Sequence, residues 1–252
     1  MKTFRFVTAA VAACAVAGSA AAGTVNTITV SPDTDGWYNA ASTTSLVTGG
    51  FDGTLDSLQA SGDGKNQFYL SGADIGATTI GDIASISYST RKSGAQNSGD
   101  WFIQIYTDPY TGSPGSSWYG NRVQAEPYLA SNLDAPANQW NIFSTDAGTN
   151  QLNWGDSSNN DFGAGLGSFA DFKAASVMGG SGTYADAGIL SFTFGIGSGW
   201  ASGFDGQIGP ITILMTNGDS TVITMGAIPV VPGPAAVAGL AGLGLVARRR
   251  RR

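Results

Sequence analysis

Seventeen of the eighteen acidic residues in this 252-residue chain are aspartate, and Glu126 is the sole glutamate. Glutamate extends helices, whereas the short aspartate carboxylate bonds the neighbouring backbone and favours turns and loops. With 37 glycines and few lysines or arginines, such a chain cannot supply long helices and reads as all-β. Alternating or apolar runs fall at 27–30, 67–70, 83–90, 101–107, 141–144, 189–195, 211–215 and 221–225, most of them bounded by Gly, Asp, Asn, Ser or Pro. Asn217-Gly218 between the last two runs predicts a hairpin with a type I′ turn. Only 166–175 has helical character. Eight to ten short strands in a single domain predict a two-layer, antiparallel, jelly-roll-like sandwich with one short helix.

The two ends differ from this middle. At the start, Lys2 and Arg5 precede an apolar stretch, and Ala20-Ala21-Ala22 offers a small-residue cleavage site. The segment 1–22 therefore reads as a secretory signal peptide, cut after Ala22 to leave Gly23. Val11-Ala12-Ala13-Cys14 is a competing lipoprotein-type box, with Cys14 as the lipidated residue. At the other end, Pro232, Gly233 and Pro234 form a rigid hinge, 235–247 is uncharged and apolar or small, and Arg248, Arg249, Arg250, Arg251 and Arg252 close the chain. An arginine run beside an apolar stretch points to a membrane with the cations on its cytoplasmic side. The stretch is shorter than the roughly 20 residues of a full span, so the expected membrane helix is short, tilted or transient. The domain proper is then 23–227, with 228–252 as a C-terminal sorting or anchoring signal.

The tail resembles the sorting signal of the PEP-CTERM family, in which a Pro-Glu-Pro-like motif, a hydrophobic helix and a basic cluster are read by an exosortase-type transpeptidase. Pro232, Gly233 and Pro234 take the motif position, with Gly233 where the family has glutamate. The resemblance implies an exosortase-like processing enzyme as partner, and delivery to the cell envelope, outer surface or extracellular matrix.

Without its ends the domain keeps five basic residues, Lys65, Arg91, Lys92, Arg122 and Lys173, against all eighteen acids, a net charge of −13. That sign excludes nucleic acid as a partner. The chain has no histidine, and its one cysteine lies in the leader, so histidine triads, histidine-ligated zinc and thiol nucleophiles are absent. Gly163-x-Gly165 and Gly195-x-Gly197 both lack the strand–turn–helix context of a dinucleotide loop.

Paired carboxylates remain, since glycosidases need only two acids flanking a sugar bond. Glu126 is the acid that reading would use; the plainer reading makes it a hydrogen-bond acceptor in a loop before Pro127. Aspartate clusters suit calcium, which takes six to eight oxygen ligands, and Asp156, Asp161 and Asp205 are its candidate ligands, with ordinary turn chemistry as the competing explanation. Trp118 and Tyr119, beside Gly120 and Asn121, are the candidate platform for an extracellular polysaccharide, with Asn121 as a polar contact. Trp101, Trp140, Trp154 and Trp200 are expected to fill the core.

The segments Trp118-Tyr119-Gly120-Asn121, Ala125-Glu126-Pro127-Tyr128, Gly197-Ser198-Gly199-Trp200 and Phe204-Asp205-Gly206-Gln207-Ile208 resemble concanavalin A-like and carbohydrate-binding sandwich domains, in which a Phe-Asp-Gly turn leads into the final strand. The resemblance implies a lectin-like sandwich. The expected function is that of an exported, non-enzymatic protein, structural or weakly glycan-binding; the alternative is a polysaccharide-acting hydrolase using Glu126. Intact-mass measurement of the secreted protein from its native host is expected to show a chain that begins at Gly23 and lacks Arg248 to Arg252; a product retaining the arginines would overturn the processing.

Overall fold

The computed structural model describes residues 23–38, 44–61, 65–108, 122–157, 165–177, 182–197 and 204–227. The leader 1–22, the tail 228–252, Trp118, Tyr119, Asn121, Asp161 and Trp200 lie outside the described residues. Within them the expected two-sheet β-sandwich is present, with seven strands in each sheet. The first sheet holds β1 (Val25–Val30), β3 (Thr44–Phe51), β4 (Leu55–Ser61), β6 (Ile83–Lys92), β9 (Asn141–Ser144), β13 (Asp205–Met215) and β14 (Ser220–Met225). The second holds β2 (Trp37–Tyr38), β5 (Asn66–Leu70), β7 (Phe102–Thr107), β8 (Arg122–Ala125), β10 (Asn153–Asp156), β11 (Gly167–Ser168) and β12 (Ile189–Ile196). Pairing between these strands is antiparallel except where β1 runs parallel to β14.

The order of the second sheet is β11-β10-β8-β7-β12-β5-β2, and its alternation decides which residues meet the other sheet. Phe68, Ile103, Ile105, Val123, Ala125, Trp154, Phe192 and Phe194 point inward and are buried. From the first sheet Leu58, Ile86, Tyr88, Phe143, Ile208, Ile211, Ile213 and Ile223 meet them in one core. Side-chain hydrogen bonds tie the layers together around Trp101. The Tyr88 hydroxyl donates to the Trp101 carbonyl at 3.2 Å, and the Trp101 indole N–H donates to the Gly206 carbonyl at 3.0 Å.

The helices are short: α1 (Gly72–Ile75) and α2 (Phe169–Ala174), the latter inside the expected 166–175 segment. Both start on a serine followed three residues later by aspartate. Ser71 and Ser168 accept the N–H of Asp74 and Asp171 on their hydroxyls, and each carboxylate accepts the serine N–H in return. This is the capping box with Asp in place of Glu. At Thr79–Asp82 and Thr183–Asp186, which open single 3₁₀ turns, the carboxylate likewise accepts the threonine N–H, at 2.8 and 3.0 Å. The aspartate bias is thus spent partly on closing very short helical turns. Helix α2 lays Phe172 flat on Trp154, with ring centroids 5.1 Å apart and planes within 9°, and Phe169 packs beside them.

Several details correct the sequence reading. The β13–β14 hairpin forms, but only Gly218 has a positive φ, +91°, whereas a type I′ turn needs it at Asn217 as well. The Gly218 N–H bonds the Met215 carbonyl and the Met215 N–H bonds the Asp219 carbonyl, which describes a three-residue loop with a glycine bulge. The Asn217 side chain accepts the Asp219 N–H instead. Asp205 and Gly206 are not a turn: both already pair in β13, opposite Ser61 and Ala60 of β4, and β13 is followed by β14. Trp101 and Trp154 are core residues as expected. Trp140 is not: it is half-buried, in a T-shaped contact with Phe51 whose ring centroid lies 4.9 Å away, and with its indole N–H on the Gly50 carbonyl.

Trp154 is fully buried in this aromatic cluster, so Trp154→Ala is expected to cost about 3–5 kcal/mol of unfolding free energy. Ile142, 65% exposed on edge strand β9, is expected to tolerate Ile142→Ser within about 0.5 kcal/mol. Chemical denaturation of the two variants checks both.

Candidate functional site

Glu126 follows β8 and occupies the position before the 3₁₀ turn Pro127–Leu129. Because Val123 and Ala125 point into the core, Gln124 and Glu126 point to the opposite face of the second sheet. The same alternation puts Gln104 and Tyr106 of β7, Thr193 of β12, and Gln67 and Tyr69 of β5 on that face.

There the polar side chains bond one another in a line. The Tyr69 hydroxyl donates to Gln67 Oε1 at 2.8 Å, Gln67 Nε2 to Gln104 Oε1 at 3.4 Å, Gln104 Nε2 to Gln124 Oε1 at 3.0 Å, and Gln124 Nε2 to Glu126 Oε1 at 2.8 Å. The line crosses β12, which separates β5 from β7, and can do so because Gly195 lies opposite Gln67. A Cβ at Gly195 would sit 2.7 Å from Gln67 Cγ and 2.1 Å from the Asn66 carbonyl oxygen. From Gln67 onward the row is closed to solvent, with Gln67 1%, Gln104 5%, Gln124 5% and Glu126 8% exposed, while Tyr69 at its start is half-buried.

At its end the Glu126 carboxyl is unusual. Its Oε2 is buried without a hydrogen-bond partner. Burial pushes its pKa up to about 7, against which the nearby Tyr128 hydroxyl acts weakly. Burial and the same carboxyl push Tyr128 up to about 12. A carboxyl that keeps its proton near neutrality is what a general acid requires. A glycosidase also needs a second carboxylate, about 5–10 Å away, and the side chains joined to Glu126 along the row are amides and a phenol.

A second buried ionisable group lies at the start of β7. Asp100 accepts the Thr90 hydroxyl at 2.8 Å and the Trp101 N–H at 2.7 Å, and faces the Lys92 ammonium at 3.6 Å. Burial raises it to about 6 in spite of these partners. Lys92 also donates to the Gln96 and Ser98 carbonyls at 3.2 and 2.6 Å, so this pair pins the loop between β6 and β7.

The calcium candidates are scattered. Asp156 is inward-facing on β10, buried, and accepts the Tyr184 hydroxyl. Asp205 opens β13 in the other sheet, exposed, and accepts Gln59 Nε2 at 2.6 Å. Among the described residues no three His, Cys, Asp or Glu side chains group as a metal site. No helix among them is long and apolar enough to cross a membrane.

The glutamine row escaped sequence reading, although its trace is there: Gln104 between Ile103 and Ile105, and Gln67 before Phe68, are amides held in step with strand alternation. No family model, no curated protein and no solved structure matches this chain.

The two raised carboxyls fix a pH dependence. Glu126 titrates near 7 when folded against 4.5 ordinarily, and Asp100 near 6 against 3.8, so between those values the folded chain binds more protons than the unfolded one. Stability is therefore full below about pH 4 to 4.5 with respect to these groups, and falls as pH rises through 6 and 7. Thermal melts are expected to show a loss on the order of 1–3 kcal/mol from pH 5 to pH 8. Glu126→Gln should remove the portion lost between about pH 4.5 and 7.

Proposed function

We propose that this chain is an exported, non-enzymatic sandwich protein, delivered to the cell envelope or extracellular matrix by its PEP-CTERM-like tail and an exosortase-like enzyme, structural in role and weakly glycan-binding. One observation carries the non-enzymatic part. The only glutamate ends a closed line of side-chain hydrogen bonds, Tyr69–Gln67–Gln104–Gln124–Glu126, in which the amides satisfy each other. A buried row of hydrogen-bonded amides fixes the sheet and specifies its packing. Along that line, among the described residues, the carboxyl is joined to amides and a phenol and not to a second acid of the kind sugar-bond hydrolysis uses. The domain charge of −13 keeps such a surface soluble and away from nucleic acid.

The protonated state of Glu126 favours the alternative, a polysaccharide hydrolase, and one assay separates the two. The secreted protein is expected to release no reducing ends from neutral or acidic polysaccharides, and Glu126→Gln to change only its stability profile. Measurable cleavage that disappears in Glu126→Gln would overturn the non-enzymatic reading.

A further inference from the structure

On the first sheet, on the side away from the core, a small pocket opens where the end of β6 pairs with the start of β13. Its volume is about 100 Å³, room for the hydroxyl-bearing edge of a ring rather than for a whole ligand, and Arg91, Ser93, Asn138, Asp205 and Gln207 are among the polar residues that line it. Arg91 stands opposite Gln207, and Gln207 opposite Gln59 of β4, so the pocket sits on a cross-strand row fixed by sheet register.

The bonding capacity of these groups is mostly unspent. Arg91 donates from Nε to the Asn138 carbonyl at 3.1 Å, and among the described residues its terminal amino groups have no acceptor. Asp205 uses Oδ1 for Gln59 at 2.6 Å and leaves Oδ2 unused. Asn138 is fixed through its backbone, at φ +61° with its N–H on the Lys92 carbonyl at 2.7 Å, while its side-chain amide is uncommitted and exposed. Gln207 is held from behind by Ser57 and Gln59, at 3.2 and 3.4 Å.

Beside the polar groups lies an aromatic one. β6 and β9 pair Thr90 with Asn141, and continuing that register by one residue brings Trp140 opposite Arg91. Its ring is held perpendicular to that of Phe51, with centroids 4.9 Å apart, and by its N–H on the Gly50 carbonyl at 3.2 Å, yet it is only half-buried. Phe51 in turn rests on Gly209, where an added Cβ would meet its ring at 2.8 Å.

Charge narrows the ligand class. Arg91 repels a cation, and Asp205 in the same pocket, within a domain of net charge −13, repels an anion. A neutral molecule that both donates and accepts, with an apolar flank, satisfies every wall at once. We infer that the pocket formed by Arg91, Asn138, Asp205 and Gln207, flanked by Trp140, binds a neutral hexose unit of a polysaccharide. Ring hydroxyls would take the planar polar groups, and the C–H face of the sugar would lie against the indole. This deepens the glycan-contact part of the proposed function and rests on it.

The test is titration calorimetry of the secreted protein with laminari-, cello- and manno-oligosaccharides, and with oligogalacturonate as the acidic counterpart. At least one neutral series is expected to bind with a Kd on the order of 0.1–1 mM, and little affected by salt because no ion pair forms. Arg91→Ala and Asp205→Ala are each expected to weaken it at least about fivefold. Asn138→Gly keeps the left-handed backbone and removes only the free amide; it is expected to weaken binding with an unchanged melting temperature, which separates recognition from folding. Tighter binding of oligogalacturonate than of every neutral series would overturn the ligand class. Binding that all three variants retain would overturn the site and leave the glycan-contact reading standing. No binding of any oligosaccharide by the unaltered protein would overturn both.

Discussion

Pro210 cannot donate a backbone hydrogen bond, and the first sheet is arranged around that fact. Strand β13 pairs with β6 on one side as far as Thr90 opposite Ile208, then resumes at Tyr88 opposite Ile211, so Gly209 and Pro210 together face the single residue Ser89. A bulge is where a strand tolerates proline. On its other side β13 bonds β4 through Ile208 and β14 from Ile211 onward. The missing N–H thus falls where one neighbour ends and another begins. β14 then carries the parallel strand β1, so the chain's first described strand is seated through its last. Gly206, in the β4-paired part of β13, also accepts the Trp101 indole N–H that joins the sheets.

The sandwich handles its polar groups in two ways. Those kept inside are paired within short reach: Asp100 with Thr90, Trp101 and Lys92, and Asp156 with Tyr184. The outward face of the second sheet instead passes one hydrogen bond from amide to amide until it reaches a carboxyl. An amide can donate and accept at once, which is what lets a row of glutamines extend. Glu126 accepts the last of these bonds on Oε1, and burial of its carboxyl is what lets it keep a proton near neutrality. The outward face of the first sheet differs: Arg91, Asn138 and Asp205 retain unused donors and acceptors. The same pleat thus produces a sealed polar row on one sheet and an open polar pocket on the other.

Strands with strict alternation and apolar content were legible before any fold was known. The run 141–144 matches β9 residue for residue, and 189–195 matches all but one residue of β12. Strands β3 and β4 were not legible. Thr44-Ser45-Leu46-Val47-Thr48-Gly49-Gly50 and Leu55-Asp56-Ser57-Leu58-Gln59 carry too few inward apolar residues to show a period, and they are strands because each supplies the other's backbone partners. β8 and β10, as short as β9, carry polar residues or glycine between their inward positions and show no apolar run, and the two-residue β2 and β11 are shorter than any pattern can register. The sequence signs for the turns were partly misleading: Asn217-Gly218 marks the hairpin correctly, but the aspartate two residues on takes the Asn217 side chain and selects another loop.

The sequence by itself determined the class of the fold. Glycine and aspartate in place of glutamate and lysine preclude long helices, and the period-two runs require sheets with one apolar face. It also determined the excluded chemistry, since no arrangement of a chain without histidine creates a histidine site. Only the tertiary structure decided which aromatic rings are core, setting Trp154 inside and Trp140 outside although both lie in similar surroundings in the sequence. It alone decided that Gln67, Gln104 and Gln124 meet across a missing side chain at Gly195, and that Arg91 and Asp205 share a pocket. Register makes that difference: residues 37 or 114 positions apart become neighbours only when strands pair, and pairing is a property of the backbone, which composition does not encode.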